Sequence, residues 1–251
     1  MFSAFILKLF AVVTMVVDHT GAVLFPENGD LRVVGRLAFP IFCFLLSEGF
    51  VHTRSVPKYL MRLGLFALIS EIPFNLAFSK TVIKSGTCNV FVTLFLGLLA
   101  LYMYDAVLKW EDVPKAVAQI AAIIPVALCS GAAQMVGSDY GRYGVMLIFI
   151  FYIFRENRTA AILAFILFTE LRYGLTSVKT ERIESANVWI KLFESGEKTW
   201  FISNSIQQYC VLSAVPIALY NGEKGEYSIQ KLFYIFYPAH LLLLWLISLA
   251  V

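Results

Sequence analysis

The sequence predicts an all-α, polytopic membrane helix bundle of about nine spans (range about 8 to 10), and three observations carry that prediction. Apolar residues (AVILMFWYC) fill 59% of the 251 positions and charged residues 15%, against roughly 45 to 50% and about 25% in an ordinary soluble domain. Apolar stretches near the roughly 20 residues of a membrane helix follow one another along the chain. Short polar, Gly or Pro punctuation separates them. Together they consume most of the length, so 1–251 reads as a single integral membrane domain with no room for a second, soluble one.

The first span, 3–24, lacks the basic n-region and small-residue cleavage site of a secretory signal and holds Asp18 and His19. It therefore reads as a retained helix. Spans at 33–52, 58–79, 89–108 and 114–136 follow from long apolar windows; 141–155, 159–175 and 205–221 are short for full crossings, and 230–250 closes the set. The stretch 176–204 alternates charge (Lys179, Glu181, Arg182, Glu184, Lys191, Glu194, Glu197, Lys198) and reads as a solvated loop or interfacial helix.

Orientation follows from the basic residues of the connections. Arg54, Lys58, Arg62, Lys109, Lys115, Arg155, Arg158, Lys224 and Lys231 fall on one side of a nine-span chain, against Arg32, Lys80, Lys84 and Arg142 in the short loops of the other. The richer side is expected to be cytoplasmic, which predicts a multi-pass protein of the cell inner (cytoplasmic) membrane.

Several classes drop out. Net charge is +3 with no Lys/Arg-rich run, so no nucleic-acid partner is expected. Walker-type GxxxxGKS/T, GxSxG and HExxH motifs are absent. Cys43, Cys88, Cys129 and Cys210 lie far apart with no CxxC or Cys/His spacing, which predicts buried thiols and no metal. Asp139-Tyr140-Gly141 and the Gly141-xx-Gly144 spacing read as a turn or close helix contact rather than a phosphate loop.

Function is expected where charge sits at membrane depth, since each charged group there costs roughly 2.5 to 3.5 kcal/mol or more. The candidates are Lys8, Asp18 and His19 in the first span, Arg36 and Glu48 in the second, and Arg62, Glu71 and Asn75 in the third. Asn89 opens the fourth, Arg172 ends the seventh and His240 lies in the last. Lys8 and His19 are eleven residues apart, only about 20° beyond three full turns, so they share a helix face with a rise of about 16 Å between them. Lys8 could instead snorkel to lipid headgroups. His19 has the chemistry of a general base near neutrality. Asp18 could orient it or pair with Arg36; the sequence leaves both open. Glu71 and Asn75 flank Pro73, which loosens the helix there. The polar groups fall on two levels: an anion-binding vestibule around Glu48, His52, Arg54, Lys58 and Arg62, and a reactive chamber near His19. A transporter or flippase for a small polar or anionic substrate is the rival reading of the same path.

The words LKLFAVVTMVVDHTGAVLFPE, LRVVGRLAFPIFCFLLSEGFVHTR, YLMRLGLFALISEIPFNLAF, NVFVTLFLGLLALY, YGRYGVMLI, LYNGEKG and FYIFYPAHLLLLWL together resemble the TraX family. Its members are multispanning membrane proteins associated with N-terminal acetylation of pilin. That family looks distantly similar to the membrane acyltransferase-3 group, whose first helix carries a basic residue, ten intervening residues and a His; Lys8 and His19 fit that pattern. The resemblance implies an acyltransferase-like domain that takes acyl-CoA, acetyl-CoA in the first instance, from the cytoplasm. The acceptor would be an amine or hydroxyl, such as a peptide N-terminus or a glycan, at or beyond the membrane, with lipid as the surrounding partner. His19 would be the general base, with Asp18 tuning or orienting it. Arg36 would stabilise the oxyanion or hold Asp18. Lys8, Glu48, Arg54, Arg62, Glu71, Asn75, Asn89, Arg172 and His240 would contact substrates, and no metal is implied.

Overall fold

The computed structural model describes residues 1–174, 205–225 and 230–250. The polar stretch predicted at 176–204 lies outside them. All regular elements among the described residues are helical, and five are long and apolar enough to cross a membrane: Ala4–Leu24, Gly29–His52, Val56–Ser79, Val90–Leu108 and Lys115–Met135.

Helix α1 (Ala4–Leu24) starts at Ser3, whose hydroxyl accepts from Ile6 N–H and satisfies one of the free donors of a helix start. The second predicted span begins earlier than expected and is broken. Asn28 caps α2 (Gly29–Gly35), the chain turns at Arg36 and Leu37, and α3 (Ala38–His52) continues the crossing. Helix α4 (Val56–Ser79) starts at the Ser55 cap, carries Pro73 inside it and ends at Lys80 with a left-handed φ of 54°. Helix α5 (Val90–Leu108) is capped by the Asn89 side chain, and α6 (Lys115–Met135) follows.

The remaining helices are shorter than predicted. Helix α7 (Gly141–Ile153) is about 20 Å long at 1.5 Å per residue. Helix α8 (Arg158–Thr169) passes into a π-helical turn at Glu170–Gly174. The predicted span 205–221 is not an α-helix: Ile206–Ser213 is 3-10 and only Ala214–Ala218, labelled α9, is α-helical. Local chemistry explains the difference. The Ser213 hydroxyl donates to the Cys210 carbonyl, Pro216 has no N–H to give, and Gln207 and Gln208 are drawn to partners on other helices. A 3-10 helix rises about 2.0 Å per residue, so this segment still reaches about 24 Å. Helix α10 (Gln230–Ser248) ends the described chain.

Helix α1 packs against α2, α3, α4 and α10, while α5 packs on α4, α6 and α7. Glycines set the closest approaches: a Cβ at Gly97 would strike Ile148, and one at Gly35 would strike the Asp18 side chain. Most buried residues form one core around Leu7, Ile41, Leu98, Leu147 and Phe151. Ala100, Val126, Cys129, Ala133 and Val145 form a smaller one beneath α6.

Hydrogen bonds tie the connections into two ends. At the lower end, beside the start of α1, Phe2 N–H donates to Leu219 O and Ala4 N–H to Glu223 O, and the Arg158 guanidinium donates to Tyr220 O. At the upper end, Cys88 N–H donates to Gly137 O and Asp139 N–H to Cys88 O, joining the α4–α5 and α6–α7 loops.

Candidate functional site

Two cavities stack along α1. The lower one, about 390 Å³, is lined by Lys8, His52, Arg54, Arg62 and Lys224 together with the aromatic rings of Tyr59, Phe91, Phe233 and Tyr234. The upper chamber, about 280 Å³, is lined by Asp18, His19, Arg32, Arg36, Asp139 and Tyr140, with Phe74 and Phe78 as apolar walls. Met15, Phe42, Val90 and Tyr237, from four helices, line both. They form a waist between the two spaces.

The lower cavity holds two of its cations on rings. Lys8 Nζ lies 5.2 Å from the centre of the Phe233 ring, and the Arg62 guanidinium 5.5 Å from that of Tyr59. Cation–π contacts position a charge without neutralising it, so these groups keep their attraction for an anion. Glu48 stands beside this cavity without lining it, 3.9 Å from His52 Nε2.

In the upper chamber the Asp18 carboxylate is paired. Gly35 lets α2 close on α1 until Arg32 and Arg36, four residues apart on one helix face, both reach Asp18. Arg32 Nη1 is 2.9 Å from Asp18 Oδ2 and Arg36 Nη2 2.5 Å from Asp18 Oδ1. Arg36 also donates from Nε to Arg32 O and from Nη1 to Gln207 Oε1, leaving two of its five N–H groups without a hydrogen bond among the described residues. Of the two partners open to Asp18, the carboxylate takes Arg36, with Arg32 added, and its oxygens make no bond to His19. His19 instead meets His240: the facing nitrogens, His19 Nδ1 and His240 Nε2, are 2.7 Å apart. Both imidazoles are buried.

Six predicted residues line neither cavity: Glu48 and His240, placed above, and Glu71, Asn75, Asn89 and Arg172. Glu71, Asn75 and Asn89 form their own cluster at the α4–α5 junction: Asn89 donates from its backbone N–H and from Nδ2 to Glu71 Oε2, at 3.2 and 2.6 Å, and Asn75 Nδ2 lies 3.5 Å from Glu71 Oε1. This arrangement satisfies a half-buried carboxylate and ties α4 to α5; Glu71 makes no bond to His19. Arg172 is exposed in the π-helical turn, 5.0 Å from the centre of the Tyr173 ring.

Sequence reasoning missed Arg32, Gln207, Asp139 and Tyr140. The first is one helical turn from Arg36, a signal that was available. The last two lie in the stretch expected to be a turn or close helix contact. Tyr140 and Gly141 have φ of 67° and 45°, and a bulky residue with positive φ is a strained one. The loop is held there by Thr93, whose hydroxyl donates to Asp139 O, and by the Cys88 backbone. The Tyr140 ring lies flat on Phe39, centroids 3.6 Å apart and planes within 2°. Gly144 makes that stack possible, because a Cβ there would strike Phe39 and Thr93. Asp139 sits outside the helices, and burial raises its carboxyl to about 6 against the opposing pull of Arg36.

The TraX protein family profile matches residues 3–248. A relative in Dichelobacter nodosus, described as "Probable fimbrial assembly protein FimC, serogroup H1", is 31% identical over 258 aligned positions, covering 97% of this chain and 94% of the relative. An uncharacterised protein of Rickettsia prowazekii is 31% identical over 99 positions, covering 39% of this chain and 36% of its own. No solved structure matches the chain at a significant level.

Proposed function

The chain belongs to the TraX family, and from that premise and the stacked cavities we propose that it transfers an acyl group, acetyl in the first instance, from acyl-CoA to an amine or hydroxyl acceptor. One observation carries the reading. A cavity rimmed by Lys8, Arg54, Arg62 and Lys224 abuts, across a shared waist, a chamber holding a buried imidazole. The rise from Lys8 to His19 is about 16 Å, suited to a donor whose phosphates and thioester lie at opposite ends of a long arm. The Lys8-x10-His19 spacing, seen in the sequence as a likeness to acyltransferase-3 proteins, supports the same donor.

In this mechanism the donor's phosphates rest among the lower cations, and its pantetheine arm passes Met15, Phe42, Val90 and Tyr237. The thioester arrives beside His19. His19 takes the proton of the acceptor's nucleophile as that atom attacks the thioester carbon. The C–S bond breaks, and His19 returns the proton to the departing thiolate, so acyl–S–CoA and H–X become acyl–X and H–S–CoA. The two N–H groups of Arg36 that make no hydrogen bond among the described residues are the candidate donors to the developing oxyanion, while Asp18 holds that guanidinium in place. The acceptor enters from the upper end. The description of the D. nodosus relative as a fimbrial assembly protein favours a pilin-like peptide over a glycan. The chain crosses the inner membrane nine times with its lower end in the cytoplasm, in keeping with the nine-to-four distribution of basic residues in its short connections.

The test uses the purified full chain, radiolabelled acetyl-CoA and an envelope-derived peptide and glycan pool, with mass spectrometry of whatever gains label. Label on an acceptor that disappears with His19→Ala supports acyl transfer. Substrate uptake into proteoliposomes with no labelled product supports the transporter reading, which the same two stacked cavities favour.

A further inference from the structure

The partner of His19 is the feature that neither the family nor the proposed reaction assigns. Asp18, its neighbour in sequence, is held by two guanidiniums. The bond to His19 comes from the far end of the chain, from His240 on α10, 221 positions away. The two rings lie within 5° of parallel with centroids 5.0 Å apart and facing nitrogens 2.7 Å apart. The nitrogens therefore point at each other along the line of ring centres, the direction of an imidazole lone pair.

The protons on this pair follow from its third member. His240 Nδ1 lies 2.9 Å from Phe236 O. A carbonyl oxygen can only accept, so Nδ1 carries the hydrogen. In the neutral imidazole the other nitrogen, Nε2, is then an acceptor. It faces His19 Nδ1, which must donate. His19 is left with its hydrogen on Nδ1 and its lone pair on Nε2. The rings of Phe236, 5.0 Å from His240, and Tyr237, 5.6 Å away, pack against His240 and limit its rotation.

We propose that His240 is the positioning residue of the site: it fixes His19 as the Nδ1–H tautomer, keeping Nε2 free as the base, and shares the positive charge His19 acquires when it accepts a proton. His240 does not touch substrate. Its pairing stands on geometry alone, and its catalytic consequence rests on the acyl-transfer reading above. A neutral imidazole suits this place at membrane depth, because it orients the base without adding a buried carboxylate that would need a cation of its own.

The chain contains three histidines, His19, His52 and His240, so selective ¹⁵N-histidine labelling gives a spectrum simple enough to assign with single variants. In detergent-solubilised full chain at pH 8, His19 should show a protonated Nδ1 and an unprotonated Nε2. His240→Leu should turn that signal into a mixture of tautomers and lower kcat about 10²-fold, a large part of a general base's effect, with KM for acetyl-CoA within about twofold. His240→Gln, whose Oε1 can accept from His19 Nδ1–H, should preserve the tautomer and restore kcat to within about tenfold of wild type. An Nε2–H tautomer in the wild type overturns the proposal, as does a His240→Leu protein whose His19 signal and kcat are unchanged. If His240→Leu does not fold, the wild-type and Gln spectra decide. The spectra read the pairing whether or not acyl transfer is detected, so an Nδ1–H tautomer without turnover removes the reaction and leaves the pairing.

Discussion

At the lower end of α1, Lys8 lies over the Phe233 ring and Arg62 over Tyr59; at its upper end, Asp18 is gripped by Arg32 and Arg36 and His19 by His240. The first set of charges is held in position and, among the described residues, left without an ion-pair partner. The second is paired before any ligand arrives. The contrast fits two different tasks on one helix face. A binding cavity gains from cations that can still attract phosphate, whereas a reactive chamber gains from groups that need no reorganisation when charge develops.

The sharpest break between the two regions is His19→Ala, which should lower acyl transfer roughly 10²-fold to 10⁴-fold while leaving CoA affinity near wild type. Calorimetric titration and a turnover assay on the same preparation check both halves. Full turnover in the variant would make the histidine structural. Next in size is the buried ion pair. Arg36→Leu removes one of the two guanidiniums from a carboxylate whose side chain is 8% exposed, and should cost about 3 kcal/mol of stability, the low end for breaking a buried pair, since Arg32 remains. Thermal unfolding in detergent reads the loss; an unchanged midpoint would mean that Asp18 is hydrated.

Lys8→Ala should have a smaller and different effect: CoA affinity falls about tenfold at low salt and less at high salt, because screening weakens a wet ion pair, with kcat at saturating donor nearly unchanged. Equal CoA affinity in wild type and variant would locate the donor elsewhere, with Arg54 and Arg62 as the next groups to change. The smallest signal belongs to Asp139. Burial favours the neutral acid, so its carboxyl gains a proton as pH falls through about 6, above the usual carboxylate range. Infrared difference spectra should show a protonated-carboxyl band growing over that interval and missing from Asp139→Asn; a band that appears only near pH 4 would mean that water reaches the loop.

The parts of this architecture visible in the sequence are those encoded by local periodicity. Long apolar windows located α1 and α3 to α6, and the eleven-residue interval between Lys8 and His19 already implied one face and two levels. Pairings across the bundle were not encoded locally. Nothing in VVDHTG says that Asp18 will face α2 while His19 faces α10, since that depends on how closely α2 approaches. Glu71, Asn75 and Asn89 were drawn into the expected site because buried polarity is a functional signal, and here it joins two helices instead. The 3-10 course of Ile206–Ser213 escaped detection because its apolar content is that of an ordinary span, while its geometry is set by Gln207 and Gln208 bonding to other elements and by Ser213 bonding back to Cys210 O.

The bare Cα of Gly35 has a consequence for how this chamber can be altered. With the Asp18 side chain occupying the place of a Cβ, the polarity of the pair runs one way only: carboxylate on α1, guanidiniums on α2. Exchanging the signs would place the longer arginine side chain at position 18, where α1 already presses on the bare Cα of Gly35, so the swap cannot be made by reversing Asp18 and Arg36 alone. Redesign toward a different substrate charge has more room at the lower cavity, where Lys8 and Arg62 lean on rings and can be replaced without reseating a helix.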